Sequence, residues 1–329
     1  MGIIGQVRQN DRRFRRGVRR YGALGGAAVL ALVCSGAGLP PRFLSGDRAE
    51  AWGGATVDAN PPAAADAVTA FGLPRTRAAA EAKAAYAERL ERAEARRVAA
   101  AKRWGLRKAP LRAPAPPARK PELSTEPGHI TGSGLPPVLV RVPTDEKVVF
   151  LTIDDGAEKD RDLLAMLREL DVPYSSFLTD YVARDGYGYF REAHPDGTGV
   201  HNHTVTHPEL PRLSYAKQRA EICRQQDILE REFGERPVLF RPPYGAYDRD
   251  TLRAAASCGV TAVPLWAEEA FPDRIEWGRA DRKFHPGDII LSHFRGPGEW
   301  DGDMADMVRR VLATATEQGF ALARLEDYL

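Results

Sequence analysis

From Val148 onward the chain alternates short runs of strand-forming residues with amphipathic helical stretches. The runs are Val148–Ile153, Ser175–Thr179, Gly199–His203, Val238–Arg241, Ala262–Trp266, Asp288–His293 and Ala321–Leu325. Between them lie RDLLAMLREL, SYAKQRAEICRQQDILEREFG, RDTLRAAASCG and MADMVRRVLATATEQG. Alternating strand and helix patterns predict an α/β fold with a parallel sheet or a barrel. In such folds the chemistry gathers at the C-terminal ends of the strands. The chain has 329 residues, too many for one small domain. One compact domain is expected over residues 136–329, within the usual size of a single domain.

Several of the strands end on polar groups. VVFLTIDDGAEKD, Val148 to Asp160, runs apolar residues straight into Asp154, Asp155 and Gly156. Adjacent carboxylates repel, and burying either is costly without a partner. HNHTVTHPEL carries His201, His203 and His207, LFRPPYGAYD carries Arg241 and Tyr244, and IILSHF carries His293. Pro208 disfavours the α region at His207, so the histidine pair belongs to a strand-end loop or one short turn. Taken singly, each feature has a plain structural reading: an acidic turn, a surface histidine pair, a rigid loop, a core histidine. Together they indicate a metal site. Two neutral imidazoles and one carboxylate are a common catalytic zinc set with a position left open for water. One aspartate then ligates, while the other stays ionised beside Arg241 through a bidentate pair. That free carboxylate is a general base toward a metal-bound water, and a histidine on the opposite side is a general acid. The outline is metal-assisted hydrolysis of an amide or an ester.

At this point the chain resembles the polysaccharide deacetylases, the NodB-homology family (carbohydrate esterase family 4). Thr152-Ile153-Asp154-Asp155-Gly156 is similar to the family's T-F-D-D-G motif, with Ile for Phe. His203-Thr204-Val205-Thr206-His207 resembles H-[ST]-x-x-H, Arg241-Pro242-Pro243-Tyr244 resembles R-x-P-Y, and Leu291-Ser292-His293 resembles L-x-H. The resemblance spans about Lys147 to the C-terminus. It implies a distorted (β/α) barrel holding Zn2+ or another divalent transition metal such as Co2+. Asp155, His203 and His207 would be its ligands, Asp154 the base held by Arg241, and His293 the acid. The backbone N–H of Tyr244 would help to hold the oxyanion. The implied substrate is an N-acetylated amino-sugar polymer, such as cell-wall peptidoglycan or a chitin-like glycan. One departure concerns the tryptophan followed by aspartates that orients the acid histidine in the family. Here Trp266 is followed by AEEAFPDRIEW, leaving Glu268, Glu269 and Asp273 as candidate orienting carboxylates. His201 stands where the family often has a small residue, either beside the ligands or simply structural. Two alternatives stand beside the deacetylase. One is an O-acetyl polysaccharide esterase of the acetylxylan type; the other is an inactive wall-glycan-binding module.

The N-terminal part lies outside the resemblance. Residues 1–20 are basic, with Arg8, Arg12, Arg13, Arg15, Arg16, Arg19 and Arg20. An uncharged run follows over 21–41, reading as a signal peptide or membrane anchor that leaves the rest outside the cytoplasm, anchored or secreted. Residues 42–74 are a segment of low order, 75–108 a charged, Ala-rich helix, and 109–135 a Pro-rich semi-rigid linker. The helix reads as a solvated spacer, with contact to an anionic polymer as the other reading. Beyond Cys34, the cysteines are Cys223 and Cys258. In an exported domain they can pair, or they are two separate buried thiols. The net charge of +2 carries no nucleic-acid signature, and no protein partner is inferable.

Overall fold

A computed structural model of the chain describes residues 73–329. The basic segment and the apolar 21–41 segment expected to cross or enter a membrane lie outside the described residues. Among the described residues no helix is long and apolar enough to cross one. The first element, α1 (Leu73–Arg103), is built almost entirely of strong helix formers. Within the described part, Leu90–Leu329 form one compact unit and residues 73–89 belong to a second.

The larger unit is organised by β2 (Val148–Asp155), in which all eight residues are buried. A strand covered on both faces reads as an unbroken apolar run, as VVFLTI does. It pairs in parallel with β3 (Ser175–Leu178) on one side and β8 (Ile289–His293) on the other. The strands β4 (Val200–Asn202), β6 (Glu268–Ala270) and β7 (Ile275–Trp277) extend the sheet in the order β4-β3-β2-β8-β6-β7, and β9 (Ala321–Leu322) joins the start of β2. Every pair in it is parallel except β6 with β7. A second, two-stranded sheet pairs β1 (Val138–Leu139) with β5 (Val263–Pro264). Single bridges link the two sheets: Asn202 to Phe240, Leu239 to Ala262, and Arg141 to Asp288. The hydrogen-bonded path thus returns to β8 and closes on itself.

The expected strand over 238–241 survives only as isolated pairs at Leu239 and Phe240, and the run over 262–266 only as β5. Prolines explain both. Pro237, Pro242, Pro243 and Pro264 remove ladder donors at these positions.

Alternation along β2 sets the two faces of the wall. Val149, Leu151 and Ile153 pack outward with α2 (Arg161–Leu170), α4 (Tyr187–Ala193) and α7 (Met304–Gln318); α3 (Asp180–Ala183) lies just before α4. Val148 and Phe150 pack with Phe177, Leu239, Ala262, Ile289 and Tyr328 on the other face. A third cluster lies under α5 (Tyr215–Phe233) and α6 (Arg249–Ser257). The helix starts are written in the sequence. Asp160 accepts from the backbone of Asp162 and Leu163, and Asp248 and Asp303 make capping boxes with Thr251 and Asp306. Cys223 on α5 and Cys258 at the end of α6 form a disulfide, which ties these helices together.

Residues 109–135 lie along this unit. Leu111 bridges to Ala321, Pro110 O accepts from Arg97 Nη1, and Glu126 Oε1 accepts from Val140 N and Arg141 N at 3.1 and 3.0 Å.

Candidate active site

The ends of β2, β4 and β8 and the turn at Arg241–Gly245 meet at one place. Side chains along a strand alternate faces, so two consecutive aspartates should point apart. The strand ends instead in a left-handed turn, with φ of 75° at Asp155 and 88° at Gly156. Both carboxylates then come within 3.7 Å of the same atom, His203 Nε2. Six described non-glycine residues have positive φ, and Asp155, Thr204, His207 and Tyr244 are four of them. Backbone strain gathered in this way is a mark of functional sites.

Asp154 accepts from Arg241 Nη1 at 2.7 Å. Burial pushes its pKa up to about 7 against the pull of Arg241. The expected bidentate pair does not form. The other donors of the guanidinium are committed to backbone, Nε to Pro264 O at 2.8 Å and Nη2 to Leu265 O at 3.1 Å. Arg241 is fully buried, and its guanidinium lies 4.3 Å from the centre of the Phe177 ring.

Asp155, His203 and His207 form a group able to hold a metal ion. Asp155 Oδ1 lies 3.7 Å from His203 Nε2 and 3.3 Å from His207 Nε2, and the two nitrogens are 3.2 Å apart. Tetrahedral ligands at zinc–nitrogen distances are spaced about 3.3 Å apart, close to these values. His203 Nδ1 is 2.7 Å from the Arg241 carbonyl, which only accepts, so Nδ1 carries the proton. Tyr244 Oη lies 3.0 Å from His207 Nδ1 and 3.4 Å from His207 O, and the tautomer with its hydrogen on Nδ1 satisfies both contacts, Nδ1 donating to Oη and Oη to the carbonyl. Both imidazoles thus present an Nε2 lone pair toward the other. Burial lowers both pKa values to about 4, so the rings are neutral near pH 7. Asp155 Oδ1 is buried without a hydrogen-bond partner. Burial works against its charge, yet the imidazoles of His207 and His293, which are protonated at such low pH, and the guanidinium of Arg295 hold its pKa far below the usual carboxylate range. Two opposed lone pairs and an orphaned oxygen fit a divalent cation.

The turn carrying the histidines is stapled from α5. Glu221 Oε2 accepts from Val205 N and Thr206 N at 3.1 and 2.8 Å, and Glu221 Oε1 from Thr206 Oγ1 at 2.8 Å. Asn202 Oδ1 accepts from Thr204 N at 2.8 Å. Neither residue was foreseen from the sequence. An acidic residue on the helix after the motif was the only hint.

Asp154 on β2 is in register with His293 on β8. Burial, with Arg295 adding to it, pushes the imidazole of His293 down to about 3. Of the three candidate orienting carboxylates, Glu269 lies nearest, with Oε1 3.5 Å from His293 Nδ1. Burial and the repulsion of Glu276 push Glu269 up to about 7. Glu268, one residue earlier on β6, joins Arg279 at 3.2 Å beside Asp288, and Asp273 is exposed and pairs with Arg274. His201 lies apart from the ligands. Its Nε2 meets Glu326 Oε1 at 2.6 Å, and its ring packs on Phe177. The Tyr244 ring packs edge-on against His207. Arg295, also not foreseen, reaches within 3.5 Å of Asp155 Oδ2.

The polysaccharide deacetylase family profile matches residues 141–263. An uncharacterized protein of Streptomyces coelicolor is 46% identical over 199 residues, covering 60% of this chain and 79% of its own length. The peptidoglycan-N-acetylmuramic acid deacetylase PdaC of Bacillus subtilis is 31% identical over 197 residues, covering 56% of this chain and 39% of its own. The chain belongs to the polysaccharide deacetylase family. Among solved structures, a mutant of a CE4-family pseudoenzyme from Bacillus anthracis, with enzymatic activity restored, superposes with a TM-score of 0.51. At 22% identity over 59% of this chain and 71% of that one, the likeness is one of fold. Within this deacetylase fold the triad and the arginine-held aspartate occupy the strand ends, where an α/β protein places its chemistry.

Proposed function

We propose that the chain is a metal-dependent deacetylase that hydrolyses the N-acetyl groups of an extracellular amino-sugar polymer, cell-wall peptidoglycan or a chitin-like glycan. The observation that carries this reading is the pair of facing Nε2 atoms beside the orphaned Asp155 oxygen, set against a second aspartate that Arg241 holds apart. Asp155, His203 and His207 hold the ion, zinc or another divalent transition metal such as cobalt. When bound, it supplies Lewis acidity and makes water a better nucleophile.

Asp154 is the general base. It takes a proton as water adds to the acetyl carbon, and Arg241 fixes its orientation. The backbone N–H of Tyr244, in the turn at the mouth of the site, donates to the developing oxyanion. His293 is the general acid. It gives an Nε2 proton to the leaving nitrogen as the C–N bond breaks, with the Glu269 carboxyl, 3.5 Å from Nδ1, as the group placed to orient the ring. Acetate and a free amine leave.

The wall as destination draws on the disulfide, which oxidising compartments favour, and on the similarity to a peptidoglycan deacetylase. Residues 1–20 and 21–41 would direct and tether the protein. Residues 42–74 and the start of the 75–108 helix would link the anchor to a catalytic domain over 136–329, against which residues 109–135 are packed. A pseudoenzyme shares this fold, so activity depends on the site residues and not on the fold. The test is acetate release by the purified protein with added zinc from N-acetylated peptidoglycan, a chitooligosaccharide and acetylxylan, with Asp154→Asn as the control. Zinc-dependent release that the variant lacks supports the proposal. Release from acetylxylan alone makes the protein an O-acetyl esterase. No release, with zinc bound, makes it a glycan-binding module.

A further inference from the structure

Arg295 belongs to none of the motifs, yet it ends up against a ligand carboxylate. Phe294 is fully buried against Phe190, whereas His293 and Arg295 on either side of it reach Glu269 and Asp155. Backbone bonds lock this turn to the aspartate motif. Phe294 N donates to Asp154 O, Glu158 N to Phe294 O and Arg295 N to His293 O, each at 3.0 Å. Farther along, Glu299 N donates to Gly296 O at 3.0 Å, and Glu299 Oε2 comes within 3.6 Å of Arg295 Nε. The guanidinium is thereby held between Glu299 and Asp155.

The two oxygens of Asp155 face different neighbours. Oδ1 faces the two histidine nitrogens at 3.3 and 3.7 Å, and Oδ2 faces Arg295 Nη2 at 3.5 Å. A carboxylate can bind a divalent ion through one oxygen or chelate it through both. Chelation here would fill a position that water and the acyl oxygen require. The Arg295 side chain is 14% exposed and that of Asp155 1%, so this is not a solvent-screened surface pair.

We propose that Arg295 is a positioning residue: it holds the outer oxygen of Asp155, so that Asp155 offers a divalent cation one oxygen and leaves the remaining positions open. This rests on the metal reading above. The arginine never touches the reacting atoms. It acts through the ligand, as partners behind metal ligands commonly do.

The test is a Co2+ titration of the chelator-stripped, full-length protein, followed by visible absorption. Four-coordinate Co2+ absorbs much more strongly than five- or six-coordinate Co2+, so the spectrum reports the binding mode apart from turnover. Arg295→Met removes the charge and keeps the bulk; Arg295→Lys keeps the charge. The expected result is that Arg295→Met still binds Co2+ but with molar absorbance lowered at least about twofold, as coordination expands. Its zinc-loaded kcat falls on the order of tenfold with KM little changed, and Arg295→Lys recovers most of both. Arg295→Gln is titrated in the same way should Arg295→Met fail to fold. An unchanged Co2+ spectrum in the folded, uncharged variants overturns the inference. A parent protein that takes up no Co2+ overturns the metal reading, and this inference with it.

Discussion

His203 Nε2 and His207 Nε2 stand 3.2 Å apart, with each ring's Nδ1 hydrogen committed elsewhere. Two lone pairs face one another, and a cation between them turns repulsion into attraction. Metal binding and folding are then linked. Stripping metal with a chelator is expected to lower the melting temperature. Zinc at a hundredfold its Kd should return about 2.7 kcal/mol of stability. In His207→Ala that increment should vanish. Calorimetry with and without chelator measures both, and a melting temperature indifferent to metal would refute the linkage.

The Asp154–Arg241 pair separates catalysis from stability. Asp154→Asn keeps the size of the side chain and removes the base, so kcat should fall about 10²- to 10⁴-fold while zinc still raises the melting temperature. Arg241→Met strands a buried carboxylate and should cost about 3–5 kcal/mol by urea unfolding. Adding Asp154→Asn to Arg241→Met should recover part of that loss, because the stranded charge is gone. If the double variant is no more stable than Arg241→Met, the pair is not what couples them.

Glu269 faces His293, whereas Glu268 and Asp273 face elsewhere. Glu269→Gln should lower kcat on the order of tenfold and shift the pH profile, as loss of an orienting partner does. Asp273→Asn should leave both unchanged. Initial rates across pH 5–9 decide the matter, and equal effects from the two substitutions would remove Glu269 from the proton path.

The Cys223–Cys258 bond closes a sequence separation of 35 residues between α5 and α6. On the chain-entropy account, a loop of that size contributes about 3–4 kcal/mol. Cys223→Ser with Cys258→Ser should lose that amount by urea unfolding, and reduction of the parent protein should match it. A loss below about 1 kcal/mol would show that packing alone holds these helices.

His194 is buried with Nε2 2.9 Å from Ser176 Oγ, and burial lowers its pKa to about 4. The unfolded chain binds that proton near pH 6.5, so between the two values it holds more protons than the folded state. The contribution is present above pH 6.5 and is lost as pH falls toward 4. It amounts to on the order of 3 kcal/mol. His194→Gln should flatten the stability curve over this range, measured by urea midpoints from pH 4 to 7. An equally steep curve in the variant would assign the acid sensitivity to other groups.

Local pattern was enough to read the alternation of strands and helices and the four motifs on the ends of their strands. These features depend on neighbours a few residues apart, through period-2 and period-3.6 burial and the restrictions of proline. Tertiary structure decided what depends on approach between distant segments. It allotted the fork of Arg241 to one carboxylate oxygen and two carbonyls, because Pro264 at the end of β5 and Leu265 just after it arrive there from another segment. It selected Glu269 over Glu268 through the facing of β6, brought Glu221 under the histidine turn and set Arg295 against Asp155. It also brought Cys223 and Cys258 together, since spacing along a chain does not fix the distance between two helices. Residue types and their order carried the chemistry. Which oxygen, which face and which partner depended on register and packing, which no single segment contains.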